Sequence, residues 1–293
     1  MLSANGTIGA TPLPMRRYPP PIILAPRNAL PVLLSVPHSG RDYDPELLAN
    51  AAHGRRALEM LEDPLVDRLA WRAIAAGTGA VIQPVARAAI DCNRGEDEVD
   101  PAAIAMVGPA PVGPRARHGL GLIASRTHRH GALWRRPIDR AELNRRVETV
   151  HRPYHRAVEQ ALDALAIAHG EAVLIDCHSM PPRPRGEAEI VIGDLHGRSA
   201  ASWLSDAAAA TARGQGFRVA RNDPYAGGAI IARHGRPGDG IHAVQLEIDR
   251  ATYLGRDLRT PGPGFDRVAR LIEALAEELG RALLDRGLRN AAE

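Results

Sequence analysis

Short, continuously apolar segments alternate with helical segments along most of this chain, and this alternation restricts the fold more than any other feature. Strands that are apolar throughout are buried on both faces, as in parallel sheets covered by helices. The pattern therefore predicts an α/β fold with a mainly parallel sheet, covered on both faces. The predicted strands are 31–37, 80–86, 172–177, 188–194, 217–223 and 241–249.

The segments between these strands have helical spacing. In residues 63–79 we expect Asp63 to cap the helix N-terminus and Pro64 to occupy its first position, with Gly77 and Gly79 closing it. These assignments make residues 63–79 a single helix that precedes the second predicted strand.

The longest predicted helix, 139–170, opens with an Asp-x-x-Glu capping pattern. Pro153 should break or kink it, and we expect His151 and His155 on its surface. Further helices are predicted near 198–213 and over 265–287. Residues 95–137 are rich in Gly, Pro, Arg and His, which predicts a long loop region that folds over a site.

Composition narrows the possible partners. The net charge is +3, but every basic residue is arginine, the arginines are interspersed with acids, and aromatic residues make up only 3%. This argues against a nucleic-acid partner. No apolar run approaches the roughly 20 residues of a membrane span, and the start lacks the order of a secretory signal. We therefore expect a cytoplasmic protein with no membrane partner, in which Cys92 and Cys177 are reduced and buried.

Two predicted strands end on histidine. His38 follows "VLLSVP" and His178 follows "VLIDC". Ligands bind at the carboxyl ends of parallel strands, and two imidazoles with one carboxylate form a common catalytic zinc set. Spacing leaves the carboxylate open between Asp63 and Glu62. Asp176, two residues before His178 on the same strand face, is a candidate to orient that histidine.

Two further polar segments are expected near the same edge of the sheet. "RAAIDCNR" at 87–94 contains arginine side chains that suit a carboxylate clamp, because a guanidinium offers paired donors. The second is "AVQLEID" at 243–249. Glu247 lies in this apolar strand, where it is either paired with an arginine or poised as a base.

Seven short motifs occur in an order that resembles the N-formylglutamate amidohydrolase family. They are SVPHSGR (35–41), EDPLVD (62–67), RAAIDCNR (87–94), LIDCHSMP (174–181), GDLHG (193–197), NDPYAGG (222–228) and AVQLEID (243–249). The resemblance runs from about residue 28 to the final helix. It implies a single catalytic domain over 28–293, preceded by a Pro-rich lead-in over 1–27. It also implies the three-layer α/β/α sandwich of the zinc carboxypeptidase-like and aspartoacylase-like group.

The resemblance also implies roles for individual residues. His38, Asp63 and His178 would bind one zinc ion, with other divalent first-row metals possible. The wider group often has His-x-x-Glu at the first ligand, whereas Ser39, Gly40 and Arg41 follow His38 here, so Glu62 stays an alternative third ligand. The remaining roles concern the substrate. Asn93 and Arg94 would bind its carboxylate, Arg87 would assist at the carbonyl, and Glu247 would be the general base.

The implied reaction is hydrolysis of N-formyl-L-glutamate to formate and L-glutamate, a step of histidine degradation. Tyr225, Gly227 and Gly228 are candidates for a loop that closes over this small molecule. Glutamate has a second carboxylate, for which we considered the arginines in nearby loops: Arg126, Arg183 and Arg185. Two alternatives remain: a deacylase of another N-acyl amino acid such as N-formyl-aspartate, and a non-catalytic relative that binds metal or a carboxylate.

Overall fold

The computed structural model describes residues 18–105 and 113–290. Within these residues the strands are β1 (Ile22–Leu24), β2 (Val32–Val36), β3 (Gly79–Ile82), β4 (Arg126–Thr127), β5 (Gly131–Ala132), β6 (Ala172–Met180), β7 (Ile190–Gly193), β8 (Val219–Arg221) and β9 (Ile241–Asp249). The α-helices are α1 (Pro45–Asn50), α2 (Gly54–Leu58), α3 (Val66–Leu69), α4 (Trp71–Ala75), α5 (Pro114–Arg117), α6 (Arg140–Arg146), α7 (Arg152–His169), α8 (Ser202–Gly214), α9 (Ala229–His234) and α10 (Phe265–Asn290).

Seven of these strands form the central sheet, in the order β1-β3-β2-β6-β9-β7-β8. The four middle strands β3, β2, β6 and β9 run parallel. The register pairs His178 of β6 with Glu247 of β9. β7 runs antiparallel to β9, and β1 runs antiparallel to β3. The carboxyl ends of the parallel strands therefore meet at one edge, which brings His38, His178 and Glu247 together.

Helices cover both faces of the sheet. The odd-numbered side chains of β6, such as Val173 and Ile175, pack in one cluster with α3, α4, α8 and α10. The even-numbered Ala172 and Leu174 pack in another cluster with α7 and α9. This arrangement is an α/β/α sandwich, and the predicted fold class is confirmed. Among the described helices, none combines the length and the apolar character needed to cross a membrane.

The region predicted as a long loop, 95–137, contains little regular structure. The described part holds only the four-residue helix α5 and the two-residue strands β4 and β5; residues 106–112 of the region lie outside the description. Buried Val99, Leu122 and Leu133 join this region to a separate apolar cluster, which also contains Val85 and Ile90 from the segment after β3. In addition, β1 is an edge strand within the predicted lead-in.

The prediction of one helix over 63–79 is wrong. Two short helices, α3 and α4, replace it, and Gly79 begins β3. Helix α3 starts only after Leu65, which has a φ of 62°. Asp63 does not cap it, because its carboxylate is bound by His178 and Arg250 at the carboxyl edge of the sheet.

Three buried histidines join α7 and α9 to the backbone of residues 92–94. His155 lies 2.9 Å from His234 and 3.0 Å from the Cys92 carbonyl, and His151 lies 2.9 Å from the Arg94 carbonyl. The expectation of surface positions for His151 and His155 is therefore wrong. A π-helical segment, Val147–His151, precedes α7 and brings His151 inward. The capping pattern at Asp139 is confirmed, since its side chain accepts from the Glu142 N–H.

This histidine cluster predicts acid sensitivity. Burial lowers the pKa of His155 to about 2 and that of His234 to about 4, against an ordinary value of 6.5. The unfolded chain takes up these protons near pH 6.5, whereas the folded chain resists them. The free energy of unfolding is therefore greatest above pH 6.5 and falls as the pH drops towards 4. Denaturant titrations between pH 7.5 and 4.5 measure this slope.

A His155→Asn variant should show a shallower fall in the free energy of unfolding over this pH range. His53→Asn is the matched control, because His53 is exposed, and it should keep the parental slope. An unchanged slope in His155→Asn would show that this histidine does not carry the acid sensitivity.

Candidate active site

A cavity of about 650 Å³ opens at the carboxyl edge of the parallel strands. Its walls include the ends of the parallel strands, the 60–63 and 87–94 segments, and parts of the 95–137 and 225–228 regions. Nine of the candidate site residues line it: His38, Asp63, Arg87, Asn93, Arg94, His178, Tyr225, Gly227 and Glu247. The fold thus brings together residues that are up to about 200 positions apart in the chain.

Three ligand-type side chains converge at the floor of this cavity. The Nδ1 atoms of His38 and His178 lie 3.1 Å apart, and Asp63 Oδ2 lies 3.3 and 3.2 Å from them, respectively. All three residues are buried. Their spacing is close enough for one ion to contact all three atoms.

Carboxylates behind the two imidazoles determine which ring nitrogen faces the cavity. His38 Nε2 lies 2.7 Å from Asp91 Oδ1, and His178 Nε2 lies 2.8 Å from Asp176 Oδ2. Each Nε2–H donates to its carboxylate, so in the neutral ring each Nδ1 carries a lone pair. Asp176 is in turn held by Ser35, whose hydroxyl donates to Asp176 Oδ1 at 2.6 Å.

The chemistry of this donor set fits a metal ion. With both rings neutral, two imidazole lone pairs and one carboxylate oxygen face each other with no hydrogen between them, and such an arrangement favours a cation. The surrounding carboxylates also favour a positive charge at this position. Without a metal, burial opposes a charge on His178, but Asp176 and Asp63 outweigh it and raise the pKa of His178 well above its usual value. A bound metal ion would take the place of that proton. The cluster can therefore hold a divalent metal.

Asp63, rather than Glu62, faces this cluster. Arg250 Nη2 donates to Asp63 Oδ1 at 3.0 Å, which leaves Oδ2 directed at the histidines. The Glu62 carboxylate instead accepts from the Tyr43 hydroxyl and, at 2.6 Å, from Arg259 Nη1. Among the described residues, Glu62 is outside the group that could share an ion.

The proposed carboxylate clamp lies beside the ligand cluster. The Asn93 amide lies 3.3 Å from His178 Nε2, and its Oδ1 accepts from the Ile230 N–H at 2.9 Å. The Arg94 guanidinium is fixed by the carbonyls of Leu120 and Asn93, both at 2.7 Å. A Cβ at position 228 would lie 2.2 Å from Asn93 Oδ1, so only glycine there lets the 225–228 loop approach the clamp this closely.

Arg87 and Glu247 lie on the walls of the same cavity. Arg87 Nε and Nη2 bind Asp91 Oδ2 at 2.9 and 2.8 Å. Burial raises the pKa of Glu247 to about 7; His178 and Arg87 oppose this shift, and Asp63 adds to it. A carboxyl group with this pKa can take and release a proton near neutral pH.

The three arginines considered for a second carboxylate do not line the cavity. Arg126 donates to the carbonyls of Arg117 and His118. Arg183 forms an ion pair with Glu187, and Arg185 is exposed. Their neighbours Thr127 and Pro182 do line the cavity, so Arg126 and Arg183 are kept from it by these other contacts rather than by the position of their loops.

Sequence reasoning missed the contacts of Asp91 and Arg250. Asp91 lies in the RAAIDCNR motif, but nothing in the sequence links it to His38, 53 positions away. Arg250 directly follows β9; its position at a strand end was a signal that could have singled it out. The two cysteines, in contrast, are free and buried as predicted.

Comparisons with known proteins agree on one family. A family model described as N-formylglutamate amidohydrolase matches residues 30–254. The N-formylglutamate deformylase of Pseudomonas aeruginosa is 28% identical over 269 residues, which cover 88% of this chain and 94% of that protein. The N-formylglutamate deformylase of Pseudomonas putida is 27% identical with the same coverage.

Solved structures support the same assignment. The N-formylglutamate amidohydrolase from Ralstonia eutropha JMP134 superimposes with a TM-score of 0.83 at 31% identity, covering 92% of this chain and 99% of that one. A gene product of Agrobacterium tumefaciens matches with a TM-score of 0.60 at 22% identity, covering 93% and 94%. The latter likeness concerns the fold alone.

The geometry of the ligand cluster predicts which acid matters for metal binding. Asp63→Ala removes one of the three converging atoms, so we expect metal affinity to fall by more than about 100-fold. Glu62→Ala is the matched control, and its affinity should stay within about threefold of the parent, because Glu62 faces Tyr43 and Arg259. Competition with a chromophoric chelator measures both affinities. Parental affinity in Asp63→Ala would remove Asp63 from the ligand set.

Proposed function

The chain belongs to the N-formylglutamate amidohydrolase family, and we propose that it hydrolyses N-formyl-L-glutamate to formate and L-glutamate with a bound zinc ion. The observation that carries this proposal is the arrangement in one cavity of a ligand cluster, a carboxylate clamp and a buried acid. The family relationship supports the substrate, since the Pseudomonas relatives are N-formylglutamate deformylases.

We assign the metal to His38, Asp63 and His178, whose converging atoms suit zinc. The bound zinc would supply Lewis-acid activation of water and of the formyl carbonyl. The protein's part is to hold the three ligands in place: Asp91 and Asp176 orient the histidines, and Arg250 orients Asp63. Other first-row divalent ions suit the same ligand set.

The substrate carboxylate is bound by Asn93 and Arg94. The Arg94 guanidinium is already fixed by two backbone carbonyls, so little freedom is lost when it binds an anion. Tyr225 and Gly227 line the cavity on the side of the 225–228 loop, where they limit the room around the substrate. This placement directs the formyl group towards the ligand cluster.

Arg87 and Glu247 act on the amide itself. Arg87 donates to the oxyanion that develops on the formyl oxygen, while Asp91 fixes its guanidinium. Glu247 takes a proton from the attacking water. As the C–N bond breaks, it passes that proton to the leaving nitrogen, so the products are formate and the free amino acid. Its raised pKa of about 7 suits both transfers.

The substrate assignment predicts a ranking of turnover. Zinc-loaded protein should release formate from N-formyl-L-glutamate faster than from N-formyl-L-aspartate, and should release little acetate from N-acetyl-L-glutamate. The activity should be lost on chelation and restored by added zinc. Faster turnover of the aspartate or acetyl compound would leave the assigned mechanism in place but identify a different substrate. If protein that binds zinc hydrolyses none of the three compounds, the proposed function is contradicted.

The role of Glu247 predicts a separate effect. Glu247→Gln keeps the shape of the side chain but removes the base, so kcat should fall by about 10²- to 10⁴-fold. Zinc content should stay at the parental level, because Glu247 is not in the ligand cluster. Glu278→Gln makes the same change at an exposed position of α10 and should leave kcat unchanged. Parental kcat in Glu247→Gln would show that the base is another group.

A further inference from the structure

The cavity holds more positive charge than its own carboxylates neutralise. Its lining contains five arginines, at positions 87, 94, 115, 129 and 250, against the carboxylates of Asp63, Asp91 and Glu247. Arg87 pairs with Asp91, and Arg250 pairs with Asp63. Arg94 lies 3.8 Å from Asp91. Among the described residues, Arg115 and Arg129 have no carboxylate partner, so the outer part of the cavity is cationic.

Arg115 is held close to the carboxylate clamp. Its Nη2 donates to the Gly227 carbonyl at 2.8 Å. That carbonyl precedes Gly228, which packs directly against the Asn93 amide. Among residues 18–105 and 113–290, the Gly227 carbonyl is the one hydrogen-bond partner of the Arg115 side chain, so its other guanidinium donors can bind a ligand.

The positive charge of Arg115 acts on the guanidinium of Arg94. Burial lowers the pKa of Arg94, and the positive charges of Arg87 and Arg115 add to this effect, while Asp91 opposes it. Like charges that face one cavity repel each other unless an anion lies between them. A substrate with two carboxylates relieves this repulsion at both arginines.

We propose that Arg115 binds the side-chain carboxylate of the substrate and thereby makes the site selective for acidic amino acids. This inference rests on the proposed function, in which Asn93 and Arg94 bind the α-carboxylate. A guanidinium provides paired donors for a carboxylate. A site built to bind a polar group also rejects analogues that lack it, because its own donors are left unpaired.

Arg129 is the other candidate for this role. Both arginines are exposed, but no hydrogen bond or ion pair fixes the Arg129 guanidinium within the described residues. A side chain without a fixed partner loses more conformational freedom on binding. Arg115, tied to Gly227, is therefore the better preorganised of the two arginines.

The test compares N-formyl-L-glutamate with N-formyl-L-glutamine, which has nearly the same shape but no side-chain charge. In Arg115→Gln, kcat/KM for the glutamate substrate should fall roughly 10- to 100-fold, mostly through KM. For the glutamine substrate it should change by less than about threefold. Arg117→Gln is the matched control. Arg117 lies on the same short helix, is exposed and does not line the cavity. In Arg117→Gln, kcat/KM for both substrates should therefore equal the parental values.

Two results would overturn the assignment. One is an equal loss on both substrates in Arg115→Gln, which indicates a general structural effect. The other is a selective loss in Arg129→Gln while Arg115→Gln keeps the parental preference.

Failure of the proposed function is distinguishable from these results, because the parent protein would then hydrolyse neither formyl compound. In that event, calorimetric titration of zinc-loaded parent and Arg115→Gln with L-glutamate and L-glutamine decides the role of Arg115. Loss of affinity for L-glutamate alone supports it, and unchanged affinity for both amino acids overturns it.

Discussion

A single buried carboxylate, Asp91, connects the parts of this site. Its Oδ1 accepts from His38 Nε2 at 2.7 Å and from the Asn93 N–H at 2.8 Å, and its Oδ2 binds the Arg87 guanidinium. The proposed metal ligand His38, the proposed carboxylate-binding Asn93 and the arginine assigned to the oxyanion are therefore positioned by one side chain. The Asp91 carboxylate stays ionised, because Arg87, His38 and Arg94 outweigh the effect of burial and hold the pKa of Asp91 well below its usual range.

The parallel sheet makes this arrangement possible. Neighbouring strands β6 and β9 place His178 and Glu247 side by side in register. Strand β2 lies on the other side of β6 and positions His38, which follows it. The loops that follow the strands then add the arginines. Because the α7 side of the sheet also carries the Tyr154–Ser35–Asp176 chain of hydrogen bonds, the orientation of His178 depends on packing in the middle of the fold.

Much of the architecture could be predicted from the sequence. Alternating apolar strands indicated the parallel sheet, and the strand-end histidines indicated where a site would lie. Helix boundaries near the site were predicted less well. Asp63 has the residue type and spacing of an N-cap, but two histidines and Arg250 attract its carboxylate, and this tertiary contact outweighs the local preference.

The sequence likewise did not reveal which arginines reach the cavity. Spacing along the chain does not reveal which loop turns back towards the cavity, so Arg126 was considered and Arg115 was not. His151 was expected on a helix surface because its neighbours are arginines, yet a π-helical segment rotates it into the interior. Features that depend on local periodicity were predictable, whereas contacts between distant loops required the three-dimensional structure.

The most direct test of this account is a crystal structure of the zinc-loaded protein, with the metal located by anomalous diffraction at the zinc edge. We expect one anomalous peak in contact with the Nδ1 atoms of His38 and His178 and with the Asp63 carboxylate. The Nε2 atoms should remain on Asp91 and Asp176. A peak bound through Nε2, or one at the His151–His155–His234 cluster instead, would contradict it.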